Sequence, residues 1–106
     1  MSKGTDDFGL VIAGHGSRDA DGTREFEEAL MLLKQRQPDR VITHGFLEFA
    51  TPTIDEALRK NARMGSRKIV MVPGILFAAS HGKNDMPVEL LSVKPEFPEI
   101  EFHYGG

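Results

Sequence analysis

A chain of 106 residues can bury one core but not two, so a single domain spanning residues 1–106 is expected. With 40% apolar and 27% charged residues, no apolar run long enough to cross a bilayer and no signal-like stretch in Met1 to Asp7, the composition fits a cytoplasmic globular protein without a membrane partner. Cysteine is absent, which leaves His, Asp, Glu and backbone oxygen as metal ligands, and a net charge of −3 with no basic block longer than Arg67-Lys68 argues against nucleic acid as a partner.

The run Phe8 to Ala13 is apolar, rich in β-branched residues and closed by Gly14, which predicts a central strand buried on both faces. The polar stretch Gly14 to Thr23 reads as a loop, with Asp21 or Thr23 available to cap the next helix. From Arg24 to Gln37, Phe26, Ala29, Leu30 and Leu33 recur at helical spacing, and Pro38 ends the pattern. Val41 to Leu47 predicts strand two, interrupted by Gly45. A helix follows, started either by Thr51 with Pro52 at its first position or by Thr53 with Glu56 as a capping box; Ile54, Ala57, Leu58 and Ala62 form its buried face, Arg59, Lys60 and Arg63 suit its negative end, and Gly65 stops it.

Ile69 to Val72 predicts strand three, ended by Pro73, and a second apolar stretch runs from Ile75 to Ala79. Asp85 is placed to cap a short helix containing Val88, Leu90 and Leu91 that ends before Pro95. Strict alternation over Glu99 to Tyr104 marks a last strand with one covered face, at a sheet edge. The order βαβαβαβ implies an α/β fold with an open, parallel, four-stranded sheet and right-handed crossovers. No helix follows the last strand, so either a C-terminal helix has been removed or a partner chain covers that face.

In such a sheet the carboxyl ends of neighbouring strands converge on one crevice. Three of those ends carry chemistry: His15 in Gly14-His15-Gly16-Ser17-Arg18, Glu48 in Phe46-Leu47-Glu48-Phe49, and His81 in His81-Gly82-Lys83-Asn84-Asp85-Met86-Pro87. Two imidazoles and a carboxylate suit a divalent metal or a proton-transfer site. The glycines around His15 let the backbone approach a ligand, and Ser17 and Arg18 offer donors to an anion. Glu48, between bulky apolar residues, would gain proton affinity from partial burial. The plainer readings are a tight turn with a locally bonded His15, a solvent-facing Glu48 and an Asp85 that only caps a helix. Met86 reads as packing, Asp19 and Asp21 as a loop pair without an EF-hand pattern, and His44 and His103, inside strands, as structural. No Walker loop, nucleophile elbow or zinc-protease helix is present.

These segments resemble the small sirohydrochlorin cobaltochelatases, the CbiX-like branch of the class II tetrapyrrole chelatases. The matching pieces are Gly14 to Arg18, then Phe46-Leu47-Glu48 with Pro52 and Glu56-Ala57, then Val72-Pro73 through Phe77-Ala78, then His81 to Pro87, in the family's order across residues 8 to 104. The resemblance implies ATP-independent insertion of a divalent metal, usually Co²⁺, into sirohydrochlorin on the route to cobalamin, with Fe²⁺ or Ni²⁺ used by relatives. It implies metal as substrate with no organic cofactor, His15 and His81 as metal ligands, Glu48 as a nearby catalytic carboxylate, and a homodimer as the assembly of short members. It also implies a C-terminal helix beyond this chain's end.

Metal insertion releases two pyrrole protons while the ion sheds water, which calls for labile N/O ligands and a proton acceptor. The substrate's carboxylates would suit Ser17, Arg18 and Lys83 at the rim. Two other classes remain open at this point: a metal or tetrapyrrole carrier that does not turn over, and a nucleotide module using Gly14 to Arg18 as a phosphate cradle.

Overall fold

The computed structural model describes residues 8–14, 16, 20–73 and 86–105, with 20–23 and 86–87 described by backbone alone. The strands are β1 (Gly9–Gly14), β2 (Ile42–Phe46), β3 (Lys68–Pro73) and β4 (Glu101–Tyr104), and the helices are α1 (Ala20–Arg36), α2 (Ile54–Arg63) and α3 (Met86–Val93), followed by a 3-10 turn at Lys94–Glu96. All four strands are parallel, in the order β2-β1-β3-β4, so the last strand is an edge as its alternation predicts. The expected apolar stretch from Ile75 to Ala79, the cap at Asp85 and the side chain of Met86 lie outside the described residues.

The chain moves from β1 to β2 in one direction and from β2 back across β1 to β3 in the other, so right-handed crossovers put α1 and α2 on opposite faces. The packing agrees. Val11, Ala13, Ile69, Met71 and Phe102 meet Ile54, Ala57, Leu58 and Ala62 of α2 and Leu90 and Val93 of α3. The opposite face joins Ile12 and Ile42, with Leu10 and Val72, to Phe26, Leu30 and Leu33 of α1. Strand β1 thus feeds both layers, which is why its sequence is apolar without alternation.

Helix α2 is started by the second of its two possible signals. Thr53 Oγ1 accepts from Glu56 N and Glu56 Oε1 accepts from Thr53 N, a complete capping box, while Gly65 at φ +104 ends the helix. Arg59 does not serve the helix end: it pairs with Asp55 at 2.8 Å and makes two 2.9 Å bonds to Glu96, tying α2 to the 3-10 turn, and this hydrogen bonding holds Glu96 below its ordinary carboxylate range.

Several boundaries differ from the sequence reading. Helix α1 begins at Ala20, so Asp21 and Thr23 lie inside it and neither belongs to a loop or caps it. The apolar repeat marks the turns that touch the sheet; the first turn is hydrogen-bonded but polar. Ala29 is exposed, because the stripe facing the sheet is the narrower Phe26, Leu30 and Leu33. Strand β3 extends through Pro73, which occupies the last register position opposite Ala13, where the ladder ends. Ile100 is buried as alternation predicts but belongs to a turn closed by its N–H to the Phe97 carbonyl at 3.0 Å.

Sequence periodicity gives no hint of Asn61, which is fully buried on α2. Its amide donates to the Leu10 carbonyl at 3.1 Å and the Thr43 hydroxyl at 3.2 Å, and accepts from Ser66 Oγ at 2.6 Å, linking α2 to β1 and β2. Asn61→Ala leaves these buried groups without partners and is expected to cost about 2–3 kcal/mol, read as a lower urea midpoint at unchanged m-value.

Candidate active site

The loops after β1 and β3 leave adjacent strands and lead to helices on opposite faces, α1 and α3. This is the switch point at which open α/β sheets hold their ligands. The registers Ala13↔Pro73 and Gly14↔Phe46 align the ends of β3, β1 and β2 on one rim. His15 follows Gly14 directly in the chain, and the segment containing His81 begins immediately after Pro73.

The β1 and β2 loops are in contact. Leu47 N donates to the Gly14 carbonyl at 2.8 Å, continuing the ladder one step past the strand. Beyond it Gly16, at φ +92, lies so close to the Glu48 carbonyl that a Cβ on Gly16 would overlap that oxygen. The glycine that the sequence assigns to close approach of a ligand therefore serves first to seat the His15 loop against Glu48. Gly14 is hemmed in by Phe26 and Phe46, where an added Cβ would stand 3.1 and 3.2 Å from ring carbons. Gly45 leaves room for the start of α2: a Cβ there would overlap the Thr53 carbonyl, while Phe46 N donates to the Pro52 carbonyl at 2.8 Å.

The partial burial expected for Glu48 is not found. Residues 47–50 form a bend after β2, and both Glu48 and Phe49 are exposed. Phe49 has φ +69, a left-handed backbone that costs a bulky residue about 1–3 kcal/mol, and its side chain stays 54% exposed. No sequence signal marks it.

His15, Ser17, Arg18, Asp19, His81 and Lys83 lie outside the described residues. Among the described residues no three of His, Asp and Glu gather to hold a metal ion. The two remaining histidines sit apart from the rim contact. His103 is exposed on edge strand β4, bonded to Glu101 at 2.6 Å. His44 packs against Phe26 and Phe46 with ring centroids 6.1 and 5.6 Å away, and its buried Nε2 lies 3.6 Å from Glu27 Oε2, too long for a hydrogen bond.

Burial lowers the His44 pKa from the ordinary 6.5; Glu27 on α1 opposes the shift, while Lys34 on α1 and Lys60 on α2 add to it. Between 6.5 and the lowered folded value the unfolded chain binds a proton that the folded protein refuses, so stability falls as pH drops through that window. His44→Phe is expected to flatten this acid slope, as read by urea midpoints between pH 7 and 5.

The CbiX family profile matches residues 9–106. The chain is 35% identical to a sirohydrochlorin cobaltochelatase of Methanococcoides burtonii, over 93% of its own length and 75% of that protein. It is 32% identical to a sirohydrochlorin ferrochelatase of Priestia megaterium, over 91% of its length but only 36% of the relative's, so it spans little more than a third of that enzyme. Among solved structures it superposes on SirB from Bacillus subtilis with Fe³⁺ at a TM-score of 0.83, with 31% identity, covering 92% of this chain and 39% of that one. The rim built from the ends of β1, β2 and β3 thus sits in a fold, and in a sequence, shared along nearly all of the chain: it belongs to the CbiX family.

Proposed function

We propose that this chain acts as a sirohydrochlorin chelatase that inserts a divalent metal, Co²⁺ in our assignment, without ATP. The observation that carries the reading is the packing of Gly16 on the Glu48 carbonyl, beside ladder registers that align the ends of β1, β2 and β3: the segments bearing His15, Glu48 and His81 spring from one rim. Relatives named for both cobalt and iron insertion, at similar identity, support the reaction class.

In this reading neutral His15 and His81 hold the incoming ion in an open shell of exchangeable nitrogen ligands. The tetrapyrrole loses two pyrrole N–H protons and gains one M²⁺, so charge balances with no further reactant. Glu48, exposed at the rim, accepts a departing proton and exchanges it with water. Ser17, Arg18 and Lys83 meet the substrate's peripheral carboxylates. Two copies of the chain would form the working assembly, the second copy covering the half-buried Val70 and Val72 on the α1 face.

The experiment is a visible-absorption assay with catalytic protein, excess sirohydrochlorin and Co²⁺, Fe²⁺ or Ni²⁺, first singly and then in competition. Multiple turnovers with cobalt at the highest kcat/KM are expected. Preference for Fe²⁺ would reassign the chain to ferrochelation, and stoichiometric binding without rate enhancement would make it a carrier.

A further inference from the structure

Two rings close on the backbone of Gly14, the residue before His15. An added Cβ there would stand 3.1 Å from Phe26 Cζ and 3.2 Å from Phe46 Cδ1, although Gly14, unlike Gly16, has no positive φ that would call for glycine. Room for the rings is what this position requires. The rings pack on each other with centroids 5.2 Å apart, and on His44 at 6.1 Å from Phe26 and 5.6 Å from Phe46. They are held differently. Phe46 is 2% exposed and fixed by the ladder, opposite Gly14 in register and with its N–H on the Pro52 carbonyl at 2.8 Å. Phe26 is half-buried and comes from α1, the helix to which residues 15–19 lead from Gly14. Its contact ties the start of that segment to the helix at the segment's other end. A metal ligand is kept in productive geometry when packing behind it limits the states of the backbone that carries it. Resting on the chelatase reading above, we infer that Phe26 is a positioning residue: it staples the His15 segment to α1 and orders it before the metal arrives, supplying no ligand itself.

Leu33 separates this role from support of the core, being half-buried on the same stripe about two turns further along α1. Phe26→Ala and Leu33→Ala both lower the urea midpoint, but in folded protein Phe26→Ala raises the Kd for Co²⁺ about tenfold and lowers kcat for insertion by a similar factor, whereas Leu33→Ala leaves both within about twofold. Phe26→Leu acts in the same direction and takes the place of Phe26→Ala should that variant fail to fold. A size swap supplies the rescue. Gly14→Ala alone pushes the rings off the backbone, while in combination with Phe26→Leu its methyl group fills space that the ring vacates, so the double variant binds Co²⁺ within about threefold of the parent. Each folded variant is titrated with Co²⁺, and insertion into sirohydrochlorin is followed by visible absorption. Parent-like Co²⁺ affinity and kcat in a folded Phe26 variant, an equal loss in Leu33→Ala, or no recovery in the double variant overturns the assignment of Phe26 and leaves the proposed function standing. A parent that neither binds Co²⁺ nor metallates sirohydrochlorin sinks the proposed function and this inference with it.

Discussion

His15→Ala and His81→Ala are each expected to slow cobalt insertion into sirohydrochlorin by at least about 100-fold while leaving the unfolding free energy within about 0.5 kcal/mol of the parent. Both residues are reached from strand ends that pair in the central ladder: His15 directly follows Gly14, and the segment holding His81 leaves from Pro73, opposite Ala13. Removing one imidazole from the proposed two-imidazole shell would weaken the hold on the ion and take away a proton relay, neither of which bears on the buried layers. His103→Ala is the control. It lies on an exposed edge strand, and its loss should leave the insertion rate unchanged. Rates equal to the parent in folded His15→Ala and His81→Ala proteins would remove the proposed roles.

Gly16→Ala should damage both stability and activity, for a reason that a paired variant can isolate. Gly16 and Gly65 both have positive φ, but a Cβ at Gly16 would overlap the Glu48 carbonyl, whereas one at Gly65 meets nothing within 4 Å. Strain alone predicts that Gly65→Ala costs about 1 kcal/mol with normal activity. Gly16→Ala adds backbone contact to strain, so one loop must move; a loss of about 2–4 kcal/mol is expected. Separating the His15 segment from Glu48 by even about 1 Å is expected to lower kcat by the order of 100-fold. Equal effects of the two substitutions would show that the loop contact is unimportant to the site.

What could be read from the sequence divides along the same line of local against tertiary cause. The capping box of Thr53 and Glu56, the stop at Gly65 and the buried stripe of α2 depend on neighbours within one helix, and spacing alone reveals them. Strand β1 announces its central place because it must be apolar on both faces, and β4 its edge because it need not be. The start of α1 is hidden: residues 20–23 form a helical turn beyond the apolar repeat that signals the rest. Asn61 is hidden for the opposite reason, a polar residue in an apolar stripe whose amide donates to groups on two strands far away in sequence. At the rim, flanking glycines do advertise close approach, but not that the approaching group is the Glu48 carbonyl. The exposure of Glu48 and the left-handed backbone of Phe49 are set by how the β2 loop leaves the sheet, which no window of sequence encodes.

The central claim is that His15 and His81 share one metal ion at the carboxyl ends of β1 and β3. Cobalt-edge X-ray absorption of the protein loaded with one equivalent of Co²⁺ tests it most directly. The account predicts the multiple-scattering signature of two imidazole ligands in the parent and of one in each of His15→Ala and His81→Ala. An oxygen-only shell in the parent, or an unchanged imidazole signal in both variants, would contradict it.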